Sequence, residues 1–421
     1  MNYIALTIGP IHKTLQNAKK PKELFSSSYI FSYIMREIIK NFKDRKFVTP
    51  YIEDENIFDE NLKVGLFHDR FIFESKENDI YKLKSVIEDV LKKISQELNI
   101  SFEETQEYLQ INYLEKELAN DANPILELSA YLDTKELFVQ TSQSDTFANS
   151  LKREKGDKDN FLTLDKDIEH DLKNLCYNNY YAIVHADGDK MGEVISKKEN
   201  IKDVSKSLFT YALKSTEFIK KYGGQTIYAG GDDLMFIAPT ISKDRTKTIF
   251  DLCEDISQQF NIDKATLSFG ISVNYHKFPL YEAVKNSANL LFSKAKNDKR
   301  NNIAFNITKH SGQSFETIIH KGDSDIYSSF LSFTSSVIKN EENIGNFLDS
   351  IHHKISSYET TIKQIQNNKD KLTNFFANYF NKDEHIKHQV FFKSLVEFLS
   401  IATIEQVYAS LRFIKFIKGD K

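Results

Sequence analysis

Cysteine is nearly absent from this 421-residue chain: only Cys176 and Cys253 occur, far apart and in no Cys-x-x-Cys spacing. A disulfide framework and a cysteine zinc site are both excluded by that count, and no zinc is expected. An excess of basic charge is also lacking, since 56 Lys and Arg face 60 Asp and Glu for a formal net charge of -4. A protein that grips nucleic acid through a broad basic surface of its own is therefore not expected, and any bound strand would be held mainly by other molecules. No apolar run approaches the length of a membrane span. The start, Met1 to Ile8, lacks the basic lead and cleavage site of a secretory signal. These absences predict a cytoplasmic protein with no membrane partner.

What is present is acidic and placed at turns. Ile227-Tyr228-Ala229 leads into Gly230-Gly231-Asp232-Asp233, and Leu234-Met235-Phe236-Ile237 follows. Two apolar runs joined by two glycines predict a β-hairpin whose turn needs positive φ and carries adjacent carboxylates at its tip. A second acidic turn, Asp187-Gly188-Asp189, follows the strand-like run Tyr180 to Val184, and Lys190 to Ile195 has helical spacing. Asp187 would then end a strand and Asp189 would sit near a helix N-terminus. Hard oxygen ligands converging from two strands suit Mg²⁺ or Mn²⁺, and two such ions suit in-line phosphoryl or nucleotidyl transfer.

The two acidic turns, with Met191-Gly192 between them, resemble the palm polymerase/cyclase domain of the large subunit of type III CRISPR effector complexes. Leu267-Ser268-Phe269-Gly270-Ile271-Ser272, Pro279-Leu280, Ala295-Lys296-Asn297 and Asn301-Asn302-Ile303-Ala304 resemble the later strand, connection, Ala-Lys helix and next strand of that palm. At the N-terminus, Ile8-Gly9-Pro10, Gln16, Ala18-Lys19 and Leu24 to Met35 are similar to the first, degenerate palm of the Cmr-type subunit. In that family the two palms face each other across a nucleotide pocket, and a serine at the start of the first palm's helix lies near the nucleotide; by position this is Ser28. Ser26, Ser27 and Ser28 also read as caps of that helix.

The resemblance implies an α+β fold of two facing ferredoxin-like palms, a helical insertion and a C-terminal helical bundle. The expected boundaries are 1–75 for the first palm, 76–165 for the helical insertion and linker, 166–325 for the second palm and 326–421 for the bundle. The helical spacing from Asp79 to about Phe138, with Leu83, Val86, Ile87, Val90, Leu91 and Ile94, supports the insertion. Residues 141–165 are polar and of mixed charge, as a solvated linker would be.

In function, the resemblance implies a nucleotidyltransferase converting ATP to cyclic oligoadenylate, switched on by target RNA bound in a guide-RNA complex with other type III subunits. It assigns Asp187, Asp232 and Asp233 to catalysis, with Asp189 in a lesser role. Asp187, Gly188, Asp232 and Asp233 would hold two Mg²⁺ or Mn²⁺ ions. Ser28, Gly188, Gly230, Gly231, Ser268 and Lys296 would line the nucleotide, while Lys294, Lys299 and Arg300 are further cations near the same edge. Relatives often begin with a histidine-aspartate nuclease domain; here His68-Asp69 and His170-Asp171 read as surface or loop pairs, and no DNase activity is expected from this polypeptide. His185 reads as a strand residue. Three alternatives share these residues: a palm enzyme that joins AMP to another small molecule, a stand-alone nucleotide cyclase, and a non-catalytic scaffold subunit.

Overall fold

A computed structural model describes residues 1–16, 18–59, 63–137, 144–152, 172–197, 201–297, 299–309, 311–336, 338, 345–379 and 388–418. The first unit runs β1 (Asn2–Gly9), α1 (Pro21–Lys40), β2 (Phe47–Thr49), β3 (Arg70–Glu74), α2 (Asp79–Leu98), α3 (Phe102–Tyr108) and β4 (Gln110–Glu117). Its sheet order is β2-β3-β1-β4 with antiparallel neighbours, the ferredoxin-like arrangement. Strand β1 is apolar on both faces for a reason: Ile4, Leu6 and Ile8 enter the main core, while Tyr3 and Ala5 enter a second core closed by Leu128 and Leu132 of α4 (Pro124–Leu137). Helix α2 buries Leu83, Ile87, Val90, Leu91, Ile94 and Leu98, a stripe at three- and four-residue spacing.

The first unit extends past residue 75, the boundary expected from sequence, because β4 pairs with β1 along its whole length, from Asn2 opposite Glu117 to Gly9 opposite Gln110. That edge strand is rich in polar residues, and only its pairing with a strand a hundred residues away makes it a strand. Helices α2 and α3 therefore belong to the first palm, and of the expected helical insertion α4 remains, packed on the reverse face of the sheet. The described part of that stretch, Asp79–Leu137, is two helices, a strand and a helix in turn.

The second unit comprises β5 (Tyr180–Asp189), α5 (Met191–Ile195), α6 (Ile201–Tyr222), β6 (Gln225–Gly230), β7 (Asp233–Pro239), α7 (Ile249–Gln259), β8 (Thr266–Tyr275), α8 (Leu280–Asn289), β9 (Asn302–Thr308) and β10 (Ser314–His320). Its order is β10-β9-β8-β5-β7-β6. The four strands β8-β5-β7-β6 repeat the ferredoxin-like order, and β9 joins parallel to β8 through the α8 crossover. A capping box starts α7: Thr248 Oγ1 accepts from the Asp251 amide at 3.3 Å, and the Thr248 amide donates to Asp251 Oδ2 at 2.7 Å.

Beyond β10 the chain is helical where described: α9 (Ser324–Ser335), α10 (Gly345–Ser357), α11 (Glu359–Ile365), α12 (Lys369–Tyr379), α13 (Gln389–Leu399) and α14 (Ile404–Lys418). This bundle shares its core with the second palm. Phe250 of α7 packs its ring 4.9 Å from Phe305 of β9, 4.8 Å from Phe330 of α9 and 4.6 Å from Phe413 of α14. Aromatic packing of this kind joins three layers at one residue.

Helix α8 approaches β8 more closely than a side chain would allow. A Cβ on Gly270 would stand 2.3 Å from the Ser287 carbonyl oxygen and 2.4 Å from the Leu291 nitrogen. Residues Leu290–Ala295 continue α8 as a π-helical turn, with the Lys296 amide bonded to the Leu291 carbonyl at 2.9 Å. Gly270→Ala should therefore lower stability by about 1–3 kcal/mol through backbone displacement. Denaturant unfolding at fixed pH measures this, and an unchanged midpoint would refute the close-approach account.

Candidate functional site

The hairpin forms as expected from sequence, with one refinement of its turn. Gly230 pairs with Asp233, leaving Gly231 and Asp232 as the two turn residues. Gly231 has φ of +67°, which a two-residue hairpin of type II′ needs at its first central position. Asp232 thus stands at the tip, and Asp233 opens β7 with its side chain exposed. Strand β5 runs beyond Asp187 to Asp189, and Lys190 turns the chain with φ of +60° into the five-residue α5. Asp187 sits opposite Ser268 of β8.

Gly188 makes the convergence of the two acidic turns possible. A Cβ there would stand 2.8 Å from Asp232 Oδ2 and 2.9 Å from Asp232 Cβ. Only glycine lets β5 and the hairpin tip come so close.

The aspartates have different environments. Asp189 is buried and accepts from Thr266 Oγ1 at 2.7 Å, Ser268 Oγ at 2.8 Å and the Asn301 amide at 3.0 Å. Its oxygens are taken, so it ties β5, β8 and β9 together and offers little to a ligand. Asp187 forms an ion pair with Lys296, whose Nζ also donates to the Gly188 carbonyl at 3.0 Å. Burial, then Arg300, pull the Lys296 ammonium down to about 8, a pull that its contact with the Asp187 carboxylate opposes.

Among the described residues Asp232 and Asp233 have no such cation. Desolvation raises Asp232, while the Asp232 and Gly188 amides pull it back in part. Desolvation raises Asp233, and the carboxylates of Asp232 and Asp69 push the same way, to about 8. The solvent-exposed face of Asp233 tempers the shift, but its upward direction follows from three carboxylates sharing one concave site. Burial, and the same carboxylates, also hold the Tyr228 phenol well above its ordinary value, so it stays protonated.

Beside the hairpin lies a cavity of about 250 Å³ between the two palms. The second palm contributes Met191, Phe209 and the Gly230 to Asp233 tip; the first contributes Tyr51, His68 and Asp69. The Tyr51 and Phe209 rings pack against each other in its wall, centroids 6.1 Å apart, giving an apolar end beside an acidic end. His68 bonds through Nε2 to Thr49 Oγ1 at 3.1 Å and faces Gly231, and burial lowers its pKa.

The placement corrects several expectations. Ser268 was expected to line the nucleotide; it is fully buried and its hydroxyl serves Asp189. Ser28 is buried within α1 and is not among the cavity-lining residues, and the expected capping role also fails because α1 begins at Pro21 with Lys20 at its N-cap. His68-Asp69 lies in a loop, as expected, but faces the cavity instead of open surface. His170-Asp171 lies outside the described residues. Lys294 is engaged by Glu316 at 2.6 Å. His185 is a strand residue bonded to Ser287 at 2.8 Å. Gly230, Gly231, Asp232 and Asp233 line the cavity, while Asp187, Gly188 and Lys296 meet on the hairpin's flank. The cavity residues of the first palm carry no local sequence signal; only the apposition of two distant units marks them.

Among the described residues no group of three or more His, Cys, Asp and Glu stands ready to hold a metal ion, and Asp187 is engaged by Lys296. Asp232 and Asp233 remain, two hard carboxylates without a cation, which fits what Mg²⁺ commonly takes from protein before water and phosphate complete its shell. Among the described residues no helix is long and apolar enough to cross a membrane.

Paired ferredoxin-like palms with an acidic hairpin at their junction define a two-palm protein of the polymerase/cyclase class of folds. Two family models match it: the second palm domain of Cas10/Cmr2 over residues 180–304, and the N-terminal domain of the CRISPR-associated protein Cmr2 over residues 3–106. The chain belongs to the Cas10/Cmr2 family. It is 28% identical over 173 residues to the CRISPR system Cmr subunit Cmr2 of Pyrococcus furiosus, a match covering 33% of this chain and 20% of that protein. The matched part thus spans a fifth of that curated relative. In three dimensions it resembles a type III-B Cmr-beta chain in its apo state (TM-score 0.57, 10% identity, 86% of this chain and 75% of that one). It also resembles a chain of the Csm1-Csm4 cassette in complex with cA3 (TM-score 0.56, 11% identity, 99% and 69%).

A carboxyl raised in the folded state costs stability only when ionised, so the cost grows as pH climbs from its ordinary value near about 4 to its raised value. Asp233→Asn should melt with the parent near pH 4 and increasingly above it as pH rises from there. Thermal denaturation across that range in metal-free buffer reads the difference, and a constant offset would refute the assignment.

Proposed function

We propose that this chain is the nucleotidyl-transferring subunit of a type III CRISPR RNA-guided complex, making cyclic oligoadenylate from ATP with Mg²⁺ or Mn²⁺. The observation that carries the reading is the pair of uncompensated carboxylates, Asp232 and Asp233, at the mouth of a cavity walled by both palms. Family membership supports it, as do the fold matches to Csm1-Csm4 cassettes in complex with AMPPNP, one ATP, cA3 and cA4.

Asp232, Asp233, Asp187 and the Gly188 carbonyl would hold two divalent ions, which when bound supply charge neutralisation at the reacting phosphate. The chain's own contribution is position. Tyr51 and Phe209 offer an apolar end suited to a base, and Gly231 keeps backbone close to the phosphates. Lys296 is within reach of the same edge, and it exchanges Asp187 for a phosphate oxygen when substrate arrives. A 3′-hydroxyl of one nucleotide attacks the α-phosphorus of another, and pyrophosphate leaves. No side-chain nucleophile is required, because this chemistry is positioning and electrostatic stabilisation. The assembly partners would be other type III subunits, with guide and target RNA held through them.

The test is incubation of the chain, alone and with its guide complex and matched target RNA, with ATP and Mg²⁺ or Mn²⁺, followed by mass spectrometry. Oligoadenylate should appear and fall by at least about a hundredfold in Asp232→Ala/Asp233→Ala. An AMP conjugate formed only with added metabolites would redirect the reading to the related transferase. No metal-dependent product at all would leave a scaffold.

A further inference from the structure

Asn302, the first residue of β9, is buried and takes no part in the chemistry proposed above, yet three of its polar groups are engaged around the end of the helix that bears Lys296. Its side-chain Nδ2 donates to the Ala295 carbonyl at 2.8 Å, and its backbone N–H donates to Ser268 Oγ at 3.3 Å. Its Oδ1 lies 2.9 Å from Nδ1 of His320, the residue opposite it on β10. A carbonyl can only accept, so the amide has one orientation: Nδ2 faces Ala295, and Oδ1 accepts from a protonated His320 Nδ1.

Ala295 closes the π-helical turn, and the next residue is Lys296. A π turn is one residue wider than an α turn and is rare in helices. Were it to relax, Lys296 would rotate by about 100° round the helix axis and leave the face that meets Asp187 and the Gly188 carbonyl. The last carbonyls of a helix need partners from outside it, and Asn302 supplies one to the carbonyl directly before Lys296. The donor is itself anchored. Asn301 and Asn302 give their backbone amides to Asp189 and Ser268. Arg300 and Asn301 hold φ of +56° and +52°, a conformation that residues other than glycine keep only where the surroundings impose it.

We propose that Asn302 is a positioning residue for Lys296, tying the turn that carries the ammonium to the buried Asp189 and Ser268 anchor that also sets β5. The ammonium is thereby kept in register with Asp187 and with the phosphate that replaces it. The part played by phosphate rests on the nucleotidyl-transfer reading above; the tie itself does not.

Two measurements on the full chain test this. Lys296 is read directly by labelling the nucleotide-free chain with an amine-reactive ester and quantifying the modified peptide by mass spectrometry, with the exposed Lys220 of α6 as internal reference. Asn302→Leu and His320→Ala should each raise labelling of Lys296 several-fold. His320→Asn, which can set an N–H where Nδ1 stands, should return it to the parent level. His320 is half-buried, so its variants keep the test decisive if Asn302→Leu does not fold. The second measurement is binding of α,β-methylene-ATP with Mg²⁺ in a double-mutant cycle. Asn302→Leu and Lys296→Ala should each weaken it about tenfold and the double variant no more than either alone, while adenosine binding stays unchanged. Unchanged labelling of Lys296 in the Asn302 and His320→Ala variants would overturn the proposal. Losses that add in full across the cycle would also overturn it and keep the nucleotidyl-transfer reading. Raised labelling in a chain that does not bind the analogue would keep the positioning role and remove that reading.

Discussion

Two carboxylates held side by side in a concave site repel each other and resist ionisation, and no hydrogen bond in the fold relieves that fully for Asp232 and Asp233. The rest of the site is arranged around this constraint. Gly188 yields the space into which the Asp232 carboxylate fits. Gly231 supplies the turn that brings the two acids next to each other. The first palm adds Asp69 across the cavity, increasing the negative potential. Such an arrangement is unfavourable for a metal-free protein and favourable for one that meets a divalent cation and a polyphosphate together.

Four aspartates within and around two turns therefore have three different roles, decided by their neighbours. Asp189 is saturated by two hydroxyls and an amide, and it fixes the registry of β5 against β8 and β9. Asp187 is balanced by Lys296, which reaches it because the π-helical turn and Gly270 bring the end of α8 down onto the sheet. Asp232 and Asp233 lack a balancing cation among the described residues. The sequence groups all four in two similar turns; the geometry separates a saturated carboxylate from a balanced one and from two without an ion-pair partner among the described residues.

The acidic hairpin, both acidic turns and the α+β class were legible from sequence because they depend on local turn chemistry and two-residue alternation around glycines. Strand β4 was not, since its polar residues become a strand only by pairing with β1. Ser268 was misassigned for a related reason: its place on β8 is fixed by pairing, and pairing turns its hydroxyl inward to Asp189. The capping reading of Ser28 fails because α1 starts earlier than its serine run suggests, at Pro21. His68 and Asp69 gain their meaning from a second unit more than a hundred residues away.

That second unit is held by contacts that make the first palm more than a wall. Strand β6 is the edge of the six-stranded sheet, and an edge strand alone leaves unpaired backbone and a loosely placed turn. Here the Ala229 amide donates to the Gly65 carbonyl of the first palm at 3.1 Å. Two residues on, the Phe67 amide donates to Ser32 Oγ of helix α1 at 2.9 Å, and Gly65 leaves room for the Tyr228 ring beside Ser32. Tyr228 in turn donates to the Gly230 carbonyl at 3.3 Å. A displacement of α1 is thus passed through Ser32, the Gly65 loop and Ala229 to the residue just before the acidic turn. The position of the acidic tip therefore depends on the first palm as well as on the two strands that carry it.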